Sequence, residues 1–499
     1  MHLRPAVLLC VATFICSVTA VRAADQVAQS YPPVIQGEAL TTIIAKDGAR
    51  IVAGRFQNTL DFNPGTGEDS KTSGGGFDVF VTRFEADGSY AWTRTFGGSL
   101  IDYPKSLVLL GKTLYVGGTF ASANAGVGGA GSFTAKGLRD VFVWAMDAQT
   151  GSNVPTFGTG GIQIFGGSGT DNLQAMMALG PNLVLAGNFD STDAIIGGGL
   201  GTIHAAHALD CYVLLLSAKT GLGVLKFGND AAVTFGGAAL DEVAGLAKVG
   251  STIFVTGNFK STDFTYESTN LGGSIGIRSA YVLAISSKDG TLKTKFGGDG
   301  MVRFGGSSED YGVKLCVSGA TLYLGGNLMS QDAGLDAKGT YRSHGMNDAY
   351  VLALRTKDGT VIPEFGQDGI VTFGGSAEDT LAGMGASKSL YVTGTFESDN
   401  APLSPSSVAK HTLKKDIFLL QLDRKTGAFV STKGFGFTLF GGNEDESGTD
   451  LFVGKKAVFV TGTFNSTNGG YGGLGTFQLT NFGGLLLPFD LLTGAAFVP

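Results

Sequence analysis

Two columns of acidic residues recur along the 499-residue chain at a nearly constant interval. One comprises Asp102, Asp171, Asp241, Asp310 and Asp379, with Glu446 in the sixth place, each four residues past a Gly-Gly step. The other comprises Asp78, Asp140, Asp210, Asp348 and Asp416, with Ser279 and Gly483 standing in the two remaining places. Carboxylates gathered on one side could hold a hard cation such as Ca²⁺ through oxygen ligands. That makes the first column the candidate metal set, and Ca²⁺ the one cofactor the pattern suggests. A carboxylate at a turn also accepts backbone N–H bonds with no metal at all. One per repeat is what a device joining neighbouring repeats would look like, and that is the reading adopted.

Other chemistry fails on context. Gly126–Gly131 and Gly470–Gly475 fit Gly-x-Gly-x-x-Gly, but neither leads from a strand into a helix as dinucleotide binding requires. Gly272–Gly276 spells Gly-x-Ser-x-Gly without the strand-turn-helix of a nucleophile elbow. His204 and His207 share a loop with Asp210 and could begin a metal site, yet no fourth ligand is in view. No acid/base pair and no Ser/His/Asp set can be assembled from spacing, so no catalytic residue is assigned. Asn465-Ser466-Thr467 is an N-glycosylation sequon, meaningful in a eukaryotic source.

The elements that must position these residues repeat seven times. Strands of the type Thr113–Phe120 end at Phe56, Phe120, Phe189, Phe259, Leu328, Phe396 and Phe464. A glycine sits two residues before each end, as at Gly118 and Gly257, where a bulge or a close backbone approach is expected. Aligned on that glycine, the repeats fall near 38–98, 99–167, 168–237, 238–306, 307–375, 376–442 and 443–499. Each reads as a strand after Phe-Gly-Gly, the glycine-marked strand, about 20 irregular residues, a third apolar strand and a tight turn. A fourth strand then closes on the next Phe-Gly-Gly. Four antiparallel strands repeated radially make a β-propeller, so the expected fold is all-β, a seven-bladed propeller with four strands per blade. After Gly494 too little chain remains for the last outer strand. Residues 26–37, with Tyr31, Val34 and Ile35, are expected to supply it and close the ring, hiding two strand edges.

Tyr90–Ser99, followed by Asp102 and Leu114-Tyr115-Val116, resembles the SBBP-type repeat of seven-bladed β-propellers. Asp61-Phe62-Asn63-Pro64-Gly65 followed by Asp78–Val81 fits the same pattern, and Phe365-Gly366-Gln367-Asp368-Gly369 is similar to the related delta-60 repeat. The likeness covers nearly all of 38–494 and departs at Ser279 and Gly483. It implies an extracellular or surface-associated propeller and little about activity.

Composition bounds the rest. Glycine is 80 of 499 residues, well above the usual share of about 7% and without a collagen triplet. Net charge is −7 with no basic cluster, which argues against nucleic acid and anionic membranes as partners. Residues 1–24 read as a signal peptide, with Arg4, an apolar run to Val21 and small residues Ala23-Ala24. The expected mature chain is then one propeller domain, 25–499, secreted or at the cell surface, with no transmembrane segment. Removing the signal leaves Cys211 and Cys316, read as buried thiols. The long connections between second and third strands all open on one face, and loops on a rigid scaffold tend to carry function. The expected role is a non-catalytic binding or adhesion platform for an extracellular protein or glycan. The alternatives are a structural part of an extracellular matrix or coat, and a hydrolase or lyase with an acidic site on that face.

Overall fold

The structure, a computed structural model, describes residues 34–35, 37–63, 67–129, 131–196, 201–207, 209–404, 407–409, 414–430, 436–455, 457–468, 470–471 and 483–490. The expected signal segment 1–24, Tyr31 and Pro64-Gly65 lie outside these.

The third strands are the most buried, for example Asp140–Asp147 and Ser279–Ser286. They read as unbroken apolar runs because neighbouring sheets cover both of their faces. Around them stand seven sheets of four to six strands. Their inner strands are Glu38–Ile44, Asp102–Leu110, Asp171–Leu179, Asp241–Val249, Asp310–Ser318, Thr380–Ala386 and Ser447–Val453. Each inner strand lies beside those of its two neighbours, and the first touches both the second and the last, so the ring closes on itself. The blades are numbered one to seven in that order. No α-helix occurs among the described residues.

The expectation of seven equal four-stranded blades needs correction. Six blades take their principal strands from one uninterrupted stretch of chain, whereas the remaining sheet is a composite of both chain ends. In it Val34–Ile35 pairs antiparallel with Gly483–Asp490, Val34 opposite Leu485 and Ile35 opposite Gly484. The strand count is also not uniform, because the long inserts form strands of their own. Gly126–Val127 pairs with the outer strand of blade one, and Phe264–Tyr266 with that of blade three. Gly334–Leu335 and Gly470–Tyr471 do the same on blades four and six. Each of these inserts therefore laps onto the blade before its own.

A second correction concerns the outer strands. In blades two to five they are short, as in Ile162–Phe165 and Ile370–Phe373. Loops 148–161, 218–231, 287–300 and 356–369 precede them on the opposite face. Phe157, Phe227, Phe296 and Phe365 are buried in these loops. The following glycine N–H reaches across to the next blade's turn: Gly158 donates to the Thr220 carbonyl at 2.9 Å and Gly366 to that of Thr426 at 2.8 Å.

Every inner strand carries one β-bulge at the same level. The bulge throws the preceding carbonyl toward the second strand, which explains the glycine column. A methyl group on Gly118 would overlap the Tyr103 carbonyl and stand 2.7 Å from the Phe142 ring. At Gly257 the Glu242 carbonyl and the Tyr281 hydroxyl fill the same space.

Candidate functional site

The first acidic column lies buried at the blade junctions. The Asp102 carboxylate accepts N–H bonds from Gly98 at 2.9 Å, Ala121 at 3.0 Å and Ser122 at 3.3 Å, and the Ser122 hydroxyl at 2.7 Å. Asp241 and Asp310 repeat this arrangement with Ser261 and Ser330. Asp379 does so with Ser398, and Glu446 keeps the serine contact through Ser466. The serine hydroxyl also accepts from the turn after Gly-Gly, as from the Leu100 N–H at 2.9 Å. Two residues beyond the serine, an Asn or Asp side chain takes one more N–H of that turn: Asn124 from Ser99, Asp332 from Ser307, Asn400 from Ser376. Sequence reasoning found the carboxylates and missed these partners, although Phe-x-Ser-x-(Asn/Asp) is written at the end of five second strands and Leu328-x-Ser-x-Asp at a sixth.

The second column completes the junction from the neighbouring blade. Asp78 accepts from the Gly74 N–H at 3.0 Å and Asp140 from that of Lys136 at 3.1 Å. The Ser279 hydroxyl does the same for Ile275 at 3.0 Å, so the one serine in the column keeps the bond without the charge. A carboxylate fits because glycine begins the facing Gly-Gly: a methyl on Gly166 would stand 3.0 Å from the Asp140 Cβ. One backbone bond then ties blade to blade, as from Asp102 N–H to the Phe77 carbonyl at 2.7 Å and from Asp379 N–H to Asn347 at 2.7 Å.

Burial pushes up Asp78, Asp102, Asp140, Asp171, Asp241, Asp310, Asp348 and Glu446. Asp78 is raised to about 7, with the charge of Asp102 adding to desolvation, and Asp140 and Asp171 to about 6. The carboxylates thus meet in pairs across separate junctions, each bonded to N–H or O–H donors through one oxygen or both. Asp78 Oδ1, Asp140 Oδ1, Asp171 Oδ1, Asp348 Oδ1 and Glu446 Oε2 are buried without a partner among the described residues. Among the described residues no three His, Cys, Asp or Glu side chains stand together as a metal site would need. His207 Nδ1 lies 3.3 Å from Asp210, while His204 bonds the Thr192 carbonyl. Cys211 and Cys316 are free thiols. Asn465 is exposed, its amide donating to the Asp445 carbonyl at 2.9 Å.

The same face carries a feature that sequence reasoning did not find. Leu138 is 74% exposed, Met346 68% and Ile277 57%, and Leu100, Ile101 and Leu240 are also open. Each sits just before the start of an inner or third strand. Those strands run parallel and begin at one end of the ring, as the parallel bridges Arg139–Thr170 and Asn347–Glu378 require. The apolar side chains therefore form an arc over five consecutive junctions, from blades one and two to blades five and six. At the junction of blades six and seven the arc gives way to Lys415, paired with Glu378 and Glu397. The signal was a large apolar residue one or two places before the junction acid, outside the strand alternation.

The insert aromatics Phe62, Phe264 and Tyr266 are buried, and Phe133 and Tyr341 pack against core clusters. No helix among the described residues is long and apolar enough to cross a membrane. No family model matches the chain, and no curated protein matches it. The resemblance to SBBP-type and delta-60 repeats is therefore withdrawn as an identity. The short motifs behind it are those that any junction of this kind demands: Phe-Gly-Gly for the close carboxylate, Asp for the stitch.

Proposed function

We propose that the chain is a non-catalytic binding platform, secreted or surface-attached, that engages a protein or glycan through the face bearing the second-to-third connections. The observation that carries this reading is the arc of open leucine, isoleucine and methionine side chains at five junctions of that face. Exposed apolar groups that recur at neighbouring junctions of one face suit a contact surface, and a rigid ring fixes their spacing. The acidic columns support a non-catalytic role, since they are buried at the blade junctions and bond the scaffold's own N–H groups. A screen of residues 25–499 against extracellular proteins and glycans, with and without chelator, tests it. The expected result is a saturable ligand, indifferent to chelator, lost in Leu138→Asp/Met346→Asp while the melting temperature is unchanged. Binding that survives the double substitution would overturn the assignment of the face, and a screen without any binder would overturn the platform.

A further inference from the structure

The bulges that shape the inner strands also set what the central channel displays. At the bulge level the open or partly open residues are Leu40, Lys105, Gln174, Ala244, Val313, Ala382 and Thr449, between neighbours that are mostly buried. β-Bulges re-aim side chains in this way. Directly after the bulge stand Lys314 in blade five and Asp450 in blade seven. Their ammonium and carboxylate groups lie 3.1 Å apart, across the space left by Ala382 and Gly383 of blade six.

Lys105 enters the same space from blade two. Its side chain is open to water yet surrounded by protein, a combination that a channel lumen provides. Two charges face it: the ammonium of Lys314 and the carboxylate that Lys314 already holds. Lys105 has no ion-pair partner among the described residues. Glu38 and Glu242, on other inner strands, are paired with Arg55 and Arg278. Desolvation and the like charge of Lys314 pull the Lys105 ammonium below the usual lysine range, as expected where positive charge outweighs negative.

We propose that the channel binds a small oxyanion, a carboxylate or phosphate group, between the ammonium groups of Lys105 and Lys314. The anion supplies the missing negative charge at this level. Small side chains on blades four and six leave it room, and Gln174 on the neighbouring inner strand offers a neutral donor at the same level. This inference is independent of the apolar arc, since the site lies inside the ring.

The test uses residues 25–499 in sodium phosphate, acetate or chloride at equal ionic strength. Acylation of Lys105 by an amine-reactive reagent is followed by mass spectrometry, with Lys248 as the exposed control. Phosphate or acetate should slow Lys105 acylation about fivefold or more at concentrations several times Kd and raise the melting temperature saturably, leaving Lys248 unaffected. Whichever anion protects identifies the class. Lys105→Met should lose the melting shift and Lys105→Arg should keep it. If Lys105→Met fails to fold, the labelling of the unaltered chain decides alone. Equal acylation of Lys105 in all three salts would overturn the proposal.

Discussion

Asp78 shows how a single buried acid ties the stability of the ring to pH. Its pKa in the folded chain is about 7, against 3.8 for an ordinary aspartate. The folded state thus holds the proton more tightly than the unfolded state does. Stability must fall as pH rises from about 4 to about 7, with the loss complete above that. Asp140 and Asp171, at about 6, act in the same direction over a narrower range. Turn carboxylates held low by N–H and hydroxyl donors, such as Asp87 and Asp358, work the opposite way and lose their contribution below about pH 4. The melting temperature should therefore peak near about pH 4, where the two trends meet. Asp78→Asn removes the charge and keeps an acceptor for Gly74. It should stabilise the chain at pH 8 by about 1–2 kcal/mol and by much less at pH 5. Thermal melts across that range check this, and an equal gain at both pH values would refute the account.

At the scale of elements, the inserts are part of the sheets. Phe264 is fully buried and touches Phe235 on the preceding blade and Phe259 and Tyr281 on its own. Phe264→Ala should cost about 3–5 kcal/mol, as for a core aromatic, whereas Leu138→Asp, on the open arc, should leave denaturant unfolding almost unmoved. A small loss at Phe264 would mean that the insert is only draped over the blade. Much of this level was legible in the sequence. Gly118 and its equivalents marked a close approach correctly, because a bulged carbonyl and an aromatic ring leave no space for a Cβ. Asp102 and Asp78 were legible as joining residues for the same reason that Ser122 was missed: charge at a fixed interval stands out, and a serine does not. The outer strands were misread because Thr150-Gly151 and Asp289-Gly290 do form tight turns. The chain after them then wraps around Phe157 and Phe296 before pairing again. Lys105, Lys314 and Asp450 escaped notice because their meeting depends on closure of the ring, which brings blades two, five and seven to one axis.

The molecule as a whole is held by that closure. Val34–Ile35 pairs with Gly483–Asp490, joining segments about 450 positions apart in the chain. Removing residues 25–37 would strip the outer strand from the composite sheet and leave the edge of Gly483–Asp490 open. The truncated chain should melt at least several degrees lower and self-associate on warming, which calorimetry and light scattering would register. An unchanged melt would show that the ring holds without its final strand.

The laps between blades all point one way, and this bears on how the protein is made. Gly126–Val127 finishes the sheet of blade one, Phe264–Tyr266 that of blade three, and the Gly158 N–H waits for Thr220 in the blade after its own. During synthesis, each blade therefore stays incomplete until its successor has left the ribosome. Folding should trail translation by one whole unit, and a nascent chain stalled inside any blade should expose the raw edge of the blade before it.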